Sequence, residues 1–187
     1  FYNAIREDAC YQEQLAAVKQ QSGDGEQAYE ALIIPDICAA CDVMLPVYQA
    51  SQQEDGYVSL EVSPFIAQDT QQTIHEALRL WQKVDRPNLM IKIPGNQEGI
   101  EAFRVLITEG LNVNITLLFS LPQVNRVWDA YIAGLEQRLK NKQAIGHVKA
   151  VASFFLSRID HAVDPLVPEK FKGKVAIALA KAAYYEY

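Results

Sequence analysis

The chain has 187 residues, half of them hydrophobic and 21% charged, with a formal net charge of -6 and a pI near 5.1. That is the composition of a globular protein with a sizeable core and excludes a disordered chain. Net acidity argues against nucleic acid or an anionic membrane surface as partner, and an anionic small substrate would need a local cation.

Helical spacing runs from about Asn3 to Gln20, where Ile5, Ala9, Leu15 and Ala16 fall on one face, and "QSGDG" ends it. After Pro35, residues Ile37, Cys41, Met44, Leu45 and Tyr48 follow i, i+4, i+7, i+8, i+11, which predicts a helix with one buried stripe, closed by "QEDG". From there short apolar strands alternate with amphipathic helices: strand 57–63, helix 68–84, strand 88–93, helix 97–109, strand 112–118, helix 121–142 and strand 148–154. Gly110 is placed to cap the helix before "LNVNITLLFS", and Asp85 with Pro87 breaks the one before "NLMIKIPG". Strands separated by helices pair in parallel. No linker, low-complexity stretch or second domain interrupts the pattern, so one domain over 1–187 is expected.

Successive side chains of a strand point to opposite faces. Val58, Leu60 and Val62 therefore oppose Ser59, Glu61 and Ser63; Leu89, Ile91 and Ile93 oppose Met90 and Lys92; Val113, Ile115 and Leu117 oppose Asn114 and Thr116; Ala150 and Ala152 oppose Val151 and Ser153. One face is aliphatic and the other is polar toward its C-terminal end. A doubly wound sheet buries both faces under helices, so four strands with polar residues on one face would be costly there. A (β/α)8 barrel instead turns apolar residues outward and collects functional side chains at the C-terminal ends of its strands. Such a barrel takes about 250 residues, and only four clear strands fit this chain. The expected fold is the central part of an α/β TIM barrel, about four strands plus helices. The absent initiator Met and the apolar final stretch "VAIALAKAAYYEY" fit a segment of something longer.

Lys92 is the anomaly in this pattern, an ammonium on an otherwise apolar strand. With Glu61 on the preceding strand and Asn114 and Thr116 on the following one, it has the surroundings of a Schiff-base site. An amine attacks a carbonyl only when unprotonated, and burial penalises the charged form. Glu61 is suited to relay protons through water, and Asn114, Thr116 and Ser153 to bind sugar hydroxyls. The plainer alternative is a lysine whose stem is packed and whose amine reaches solvent or pairs with Glu61.

"DGYVSLEVSP", "RPNLMIKIPG", "GLNVNITLLFS" and "VASFFLSRID", in this order and at these spacings, with "YEALIIPDI" upstream, resemble the transaldolase family over nearly the whole chain. The resemblance implies a class I aldolase-type barrel that moves a dihydroxyacetone unit from a ketose phosphate (sedoheptulose 7-phosphate or fructose 6-phosphate) to an aldose phosphate in the pentose phosphate pathway, without metal or organic cofactor. It places Lys92 on the Schiff-base lysine, Glu61 and Thr116 on the pair that handles the catalytic water, and Asn114 and Ser153 on the dihydroxyacetone-binding groups. Arg158 falls on a phosphate-binding arginine, and a bidentate cation just past a strand end suits that role independently; a surface ion pair with Asp160 is the alternative. The family's acid/base aspartate and a strand-two asparagine would lie before Phe1, and its last two strands after Tyr187, so this chain by itself is expected to be inactive. Gly95 stands where many relatives carry Ala or Ser.

Other features read as structure. Cys38 and Cys41 form a CxxC inside the helix after Pro35 and, without a second CxxC, suit core packing better than zinc. Three cysteines make no disulfide framework. His75, His147 and His161 lack metal spacing, and "GNQEG" is a weak phosphate loop without a GK[ST] ending. No apolar run approaches the roughly 20 residues of a membrane span, and "FYNAIRED" is no signal peptide. A cytoplasmic enzyme acting on phosphorylated sugars is expected, either homodimeric or fused to another pathway enzyme. The competing functions are a fructose-6-phosphate aldolase-like enzyme, which releases the three-carbon unit, and a non-catalytic sugar-phosphate-binding fragment.

Overall fold

The N-terminal third is helical in the computed structural model, which describes residues 2–21 and 25–186: α1 (Tyr2–Glu7), α2 (Ala9–Gln21) and α3 (Gly25–Ala50). The single helix expected from Asn3 to Gln20 is interrupted at Asp8, whose carbonyl accepts from Tyr11 N (3.2 Å) to start α2. The break shifts the helical phase. Ile5 and Leu15 are half-buried while Ala9 and Ala16 are exposed, so these four do not share a buried face. The "QSGDG" terminator falls largely on residues 22–24, outside the described ones.

The second predicted helix starts well before Pro35 and passes through both Pro35 and Pro46. An interior proline costs about 3 kcal/mol through its lost donor and ring clash. Burying Leu32, Ile33, Ile34, Ile37, Cys41 and Tyr48 outweighs that, at about 1.5–3 kcal/mol for each large aliphatic. Met44 and Leu45 of the predicted stripe are only half-buried. Contrary to the sequence expectation, the Gln27–Ala50 stretch of α3 is long and apolar enough to cross a membrane by length and composition. Glu30, Asp36, Asp42 and the prolines disguise it as an interrupted run. In the fold Glu30 accepts from Lys83 Nζ (2.7 Å), and Asp42 takes both Nε (2.6 Å) and Nη2 (3.1 Å) of Arg86.

Contacts divide the chain into two compact units, Phe1–Val58 with Gln82–Leu89, and Ser59–Trp81 with Met90–Tyr187. Within the first, the fully buried Asn88 amide donates to the carbonyls of Cys41 and Gly56, each at 2.9 Å.

The serial pattern after residue 57 is borne out: β1 (Val58–Glu61), α4 (Thr70–Val84), β2 (Leu89–Pro94), α5 (Gln97–Glu109), β3 (Val113–Leu118), α6 (Leu121–Lys140) and β4 (Ala150–Phe154). Two further helices, α7 (Leu156–Val163) and α8 (Val175–Glu186), follow. Gly110 caps α5 as expected, at φ 91° with its N–H on the carbonyls of Leu106 and Ile107, and Asp85 turns at φ 48° after α4. The strands lie in the order β1-β2-β3-β4, with β2–β3 and β3–β4 parallel. Every crossover steps in the same direction, and right-handed crossovers of one direction put all their helices on one face. A doubly wound sheet reverses its order at a switch point. The order here is the singly wound one of a (β/α)8 barrel, of which the described residues form four strands, and it leaves the opposite face free of crossover helices.

The helical face holds the core: Leu60, Val62, Leu89, Ile91, Ile93, Val113 and Ile115 are buried, as are Phe103, Leu106, Ile107, Val124 and Val127 from α5 and α6. One expected position is wrong. Between the pairs Ile115↔Ala152 and Leu118↔Phe154 two residues of β3, Thr116 and Leu117, oppose the single Ser153. This β-bulge, with Leu117 at φ 63°, inverts the alternation, so Leu118 is buried in line with Val113 and Ile115 while Leu117 is only half-buried.

Candidate active site

Strand parity gathers Ser59 and Glu61 (β1), Lys92 (β2), Asn114 and Thr116 (β3) and Ser153 (β4) on the face opposite the crossover helices. Lys92 stands level with Asn114 in the β2–β3 register, and Asn114 with Val151 in β3–β4. Asn114 Nδ2 donates to Ser59 Oγ at 3.1 Å, and Ser153 Oγ donates to Asn114 Oδ1 at 2.7 Å. β1 and β3 are separated by β2, and two strand spacings in a flat sheet amount to about 9.5 Å. Short side chains from β1 and β3 can touch only if the sheet curls toward this face. The polar face is therefore concave, as a barrel interior is.

Lys92 Nζ lies 3.5 Å from Glu61 Oε2, with the two side chains 26% and 54% exposed. Lys92 is thus half-buried rather than sealed in the core. An ion pair this long and this wet contributes at most about 1 kcal/mol. Pairing alone is too weak to explain a lysine on this strand, although the geometry of the plainer alternative is also satisfied.

Thr116 is fully buried and its hydroxyl has no hydrogen-bond partner among the described residues. Leaving a buried hydroxyl unpaired costs about 1–3 kcal/mol, and a left-handed non-glycine residue such as Leu117 about 1–2 kcal/mol more. Both penalties fall at one bulge, directly after Asn114 and beside the end of the Lys92 strand, and strain of this kind concentrates at functional sites.

Arg158 sits in the first turn of α7, exposed, with Cζ 4.3 Å above the Phe155 ring, which stacks on Phe119 at 6.2 Å. The alternative ion pair with Asp160 is not formed; Asp160 Oδ1 instead accepts from Ala176 N (2.9 Å) at the start of α8. The fold thus brings Lys92 to Glu61 and Asn114 to Ser153, while Thr116 and Arg158 form no hydrogen bond or ion pair with the other predicted site side chains among the described residues. Ser59 was not singled out as a site residue, although its parity with Glu61 was the available signal.

A cavity of about 440 Å³ between α5 and α6, lined by Gln97, Ile100, Glu101, Arg104, Arg126 and Ala130, holds none of these residues. Cys41 is fully buried, and burial, with Cys38 beside it, pushes its thiol up to about 11. Cys38 Sγ contacts the Val84 carbonyl at 3.7 Å, so the CxxC packs within the fold. The three histidines are exposed, and among the described residues no group of three or more His, Cys, Asp or Glu is placed to hold a metal.

The sequence matches the model of the family described as transaldolase/fructose-6-phosphate aldolase over residues 1–187. It is 48% identical over 194 aligned residues to a protein named transaldolase from Thiobacillus denitrificans, covering 100% of this chain and 54% of the relative. It is 45% identical over 187 residues to a transaldolase of Neisseria gonorrhoeae and 47% over 204 to transaldolase 2 of a Nostoc species, each time covering all of this chain and 53% of the relative. The chain spans about half the length of the curated relatives it matches.

Proposed function

The chain belongs to the transaldolase/fructose-6-phosphate aldolase family, and from that premise we propose that the full-length protein is a transaldolase acting through a Schiff base on Lys92. The observation that carries this is a lysine on the concave face of the sheet, opposite the crossover helices, with a carboxylate 3.5 Å from its amine.

Glu61 takes the ammonium proton, directly or through a water, and the freed Nζ attacks the C2 carbonyl of a ketose phosphate. The resulting carbinolamine loses hydroxide as water, with Glu61 returning the proton and the Thr116 hydroxyl orienting that water. The iminium then accepts the electron pair of the breaking C3–C4 bond. An aldose phosphate leaves, and a three-carbon enamine stays on Lys92. Attack of the enamine on an acceptor aldehyde forms the new bond, and hydrolysis of the imine regenerates the amine. Asn114, with a donor and an acceptor both directed along the face, and Ser153 hold the hydroxyls of the three-carbon unit; Arg158 holds phosphate. The base for the C4 hydroxyl proton is assigned by family resemblance to an aspartate that is not among these residues. Turnover accordingly belongs to a closed barrel, read here as one domain with this chain as its central part. The setting proposed is the cytoplasm, without metal or organic cofactor.

The family description also names fructose-6-phosphate aldolase, in which the enamine takes a proton from water instead of attacking an aldose, and hydrolysis of the imine releases dihydroxyacetone. A coupled assay of the full-length protein with fructose 6-phosphate, with and without erythrose 4-phosphate, decides between them. Acceptor-dependent turnover that disappears in Lys92→Ala is expected. Turnover without acceptor makes the protein an aldolase, and no turnover under either condition overturns both.

A further inference from the structure

The side chain of Gln123, in the first turn of α6, is spent entirely on backbone groups of the two strand ends around Lys92. Its Nε2 donates to the carbonyls of Gly95 (2.6 Å) and Leu117 (3.1 Å), and its Oε1 accepts from Phe119 N (2.9 Å). Gly95 lies three residues beyond Lys92, and Leu117 is the left-handed residue of the bulge that follows Thr116. The two ends are also joined directly, Gly95 N donating to the Thr116 carbonyl at 2.7 Å. They close so tightly that a Cβ on Gly95 would lie 2.5 Å from Leu118 Cδ2, 3.0 Å from the Thr116 carbonyl and 3.3 Å from Gln123 Nε2.

A glutamine three residues after a helix-capping serine ordinarily reaches back to the cap's own N–H. Ser120 is that cap, accepting from Gln123 N at 3.4 Å. Gln123 instead takes the N–H one residue earlier and gives both amide hydrogens to β2 and β3, which is more than starting α6 requires. We infer that Gln123 is a positioning residue for the reaction: it locks the end of β2 to the β3 bulge and so fixes the Lys92 amine relative to the Thr116 hydroxyl. This inference rests on the reading of Lys92 as the imine-forming lysine. Gln123 itself touches no substrate. Because the lock acts on the reacting groups and not on Arg158, its loss shows in kcat rather than in KM.

The test uses the full-length protein with Gln123→Met, which deletes all three bonds, and Gln123→Glu, which keeps the bond to Phe119 N but turns a carboxylate on two carbonyls. Ser120→Ala is the control, since it weakens the α6 cap and leaves the lock intact. Both Gln123 variants should lose about 10- to 100-fold in kcat with KM for fructose 6-phosphate within about threefold, because small misplacements of reacting groups cost rate rather than binding. Ser120→Ala should keep kcat within about twofold even where its melting temperature falls as far. Unchanged kcat in the Gln123 variants overturns the inference, as does an equal loss in Ser120→Ala or failure of both Gln123 variants to unfold cooperatively, which would make the residue structural. Borohydride trapping separates the levels. Wild-type protein with no adduct on Lys92 overturns the functional reading and this inference with it, whereas a normal wild-type adduct with active Gln123 variants overturns the inference alone.

Discussion

Replacing Arg158 with Ala should weaken the binding of phosphorylated donors and spare unphosphorylated ones. The guanidinium is exposed in the first turn of α7, stacked 4.3 Å over Phe155 and not engaged by Asp160, so its donors are available to an anion. Hydrogen bonds to a charged group contribute about 1.5–3 kcal/mol. At about 1.4 kcal/mol per tenfold, KM for fructose 6-phosphate rises about 10- to 150-fold. The lost cation–π contact, about 0.5–1 kcal/mol, is taken from fold stability and leaves a folded protein. Arg158→Lys keeps the charge but loses the planar fork and should fall between wild type and Ala. The assay compares donor kcat/KM for fructose 6-phosphate and fructose in the full-length protein, with erythrose as acceptor so that no acceptor phosphate intervenes and each transfer forms a new ketose. Equal losses for the two donors would refute a phosphate role and make Arg158 a folding residue.

Glu61→Gln keeps the shape and removes the base, so kcat should fall on the order of 10²-fold with a smaller change in KM; an unchanged kcat leaves Glu61 only as the charge partner of Lys92. Gly110→Ala forces a left-handed alanine and sets a Cβ 2.5 Å from Nη1 of the buried Arg138, which bonds the carbonyls of Thr108 and Ala144. Urea unfolding should show a loss of at least about 1–2 kcal/mol from the backbone alone, and an unshifted midpoint would contradict the packing described. Burial raises the Cys41 thiol from 9.0 to about 11, so its stabilising contribution is present below pH 9 and is lost as pH rises toward 11. Cys41 should resist alkylation at pH 8 until the protein unfolds; rapid native-state labelling would show that the site opens locally.

The βα units were legible because both periodicities are clean there: α5 was predicted to its end residues, and parity on β1 to β4 placed Glu61, Lys92, Asn114 and Ser153 on one face. What local pattern could not reveal depended on tertiary contact. Pro35 reads as a helix start, yet the burial of Ile33, Ile34 and Ile37 carries α3 through it from well upstream. The bulge at Thr116 and Leu117 carries no glycine to announce it, so strict alternation put Leu117 where Leu118 lies. Gln123 was visible only as part of an S-x-x-Q helix start, and nothing local to it tells that its amide reaches Gly95. The depth of Lys92 was overstated because the chain pattern shows which face a side chain takes, but not how open that face is.

Lys92 is proposed to form a covalent imine with the donor, and that bond can be trapped. Full-length protein incubated with fructose 6-phosphate and reduced with borohydride should carry the mass of a reduced dihydroxyacetone unit on the peptide containing Lys92, and Lys92→Ala and Lys92→Arg should carry none, since neither offers an amine that can be freed of its proton. An adduct that persists in Lys92→Ala, or maps to another lysine in the wild-type protein, would contradict the account.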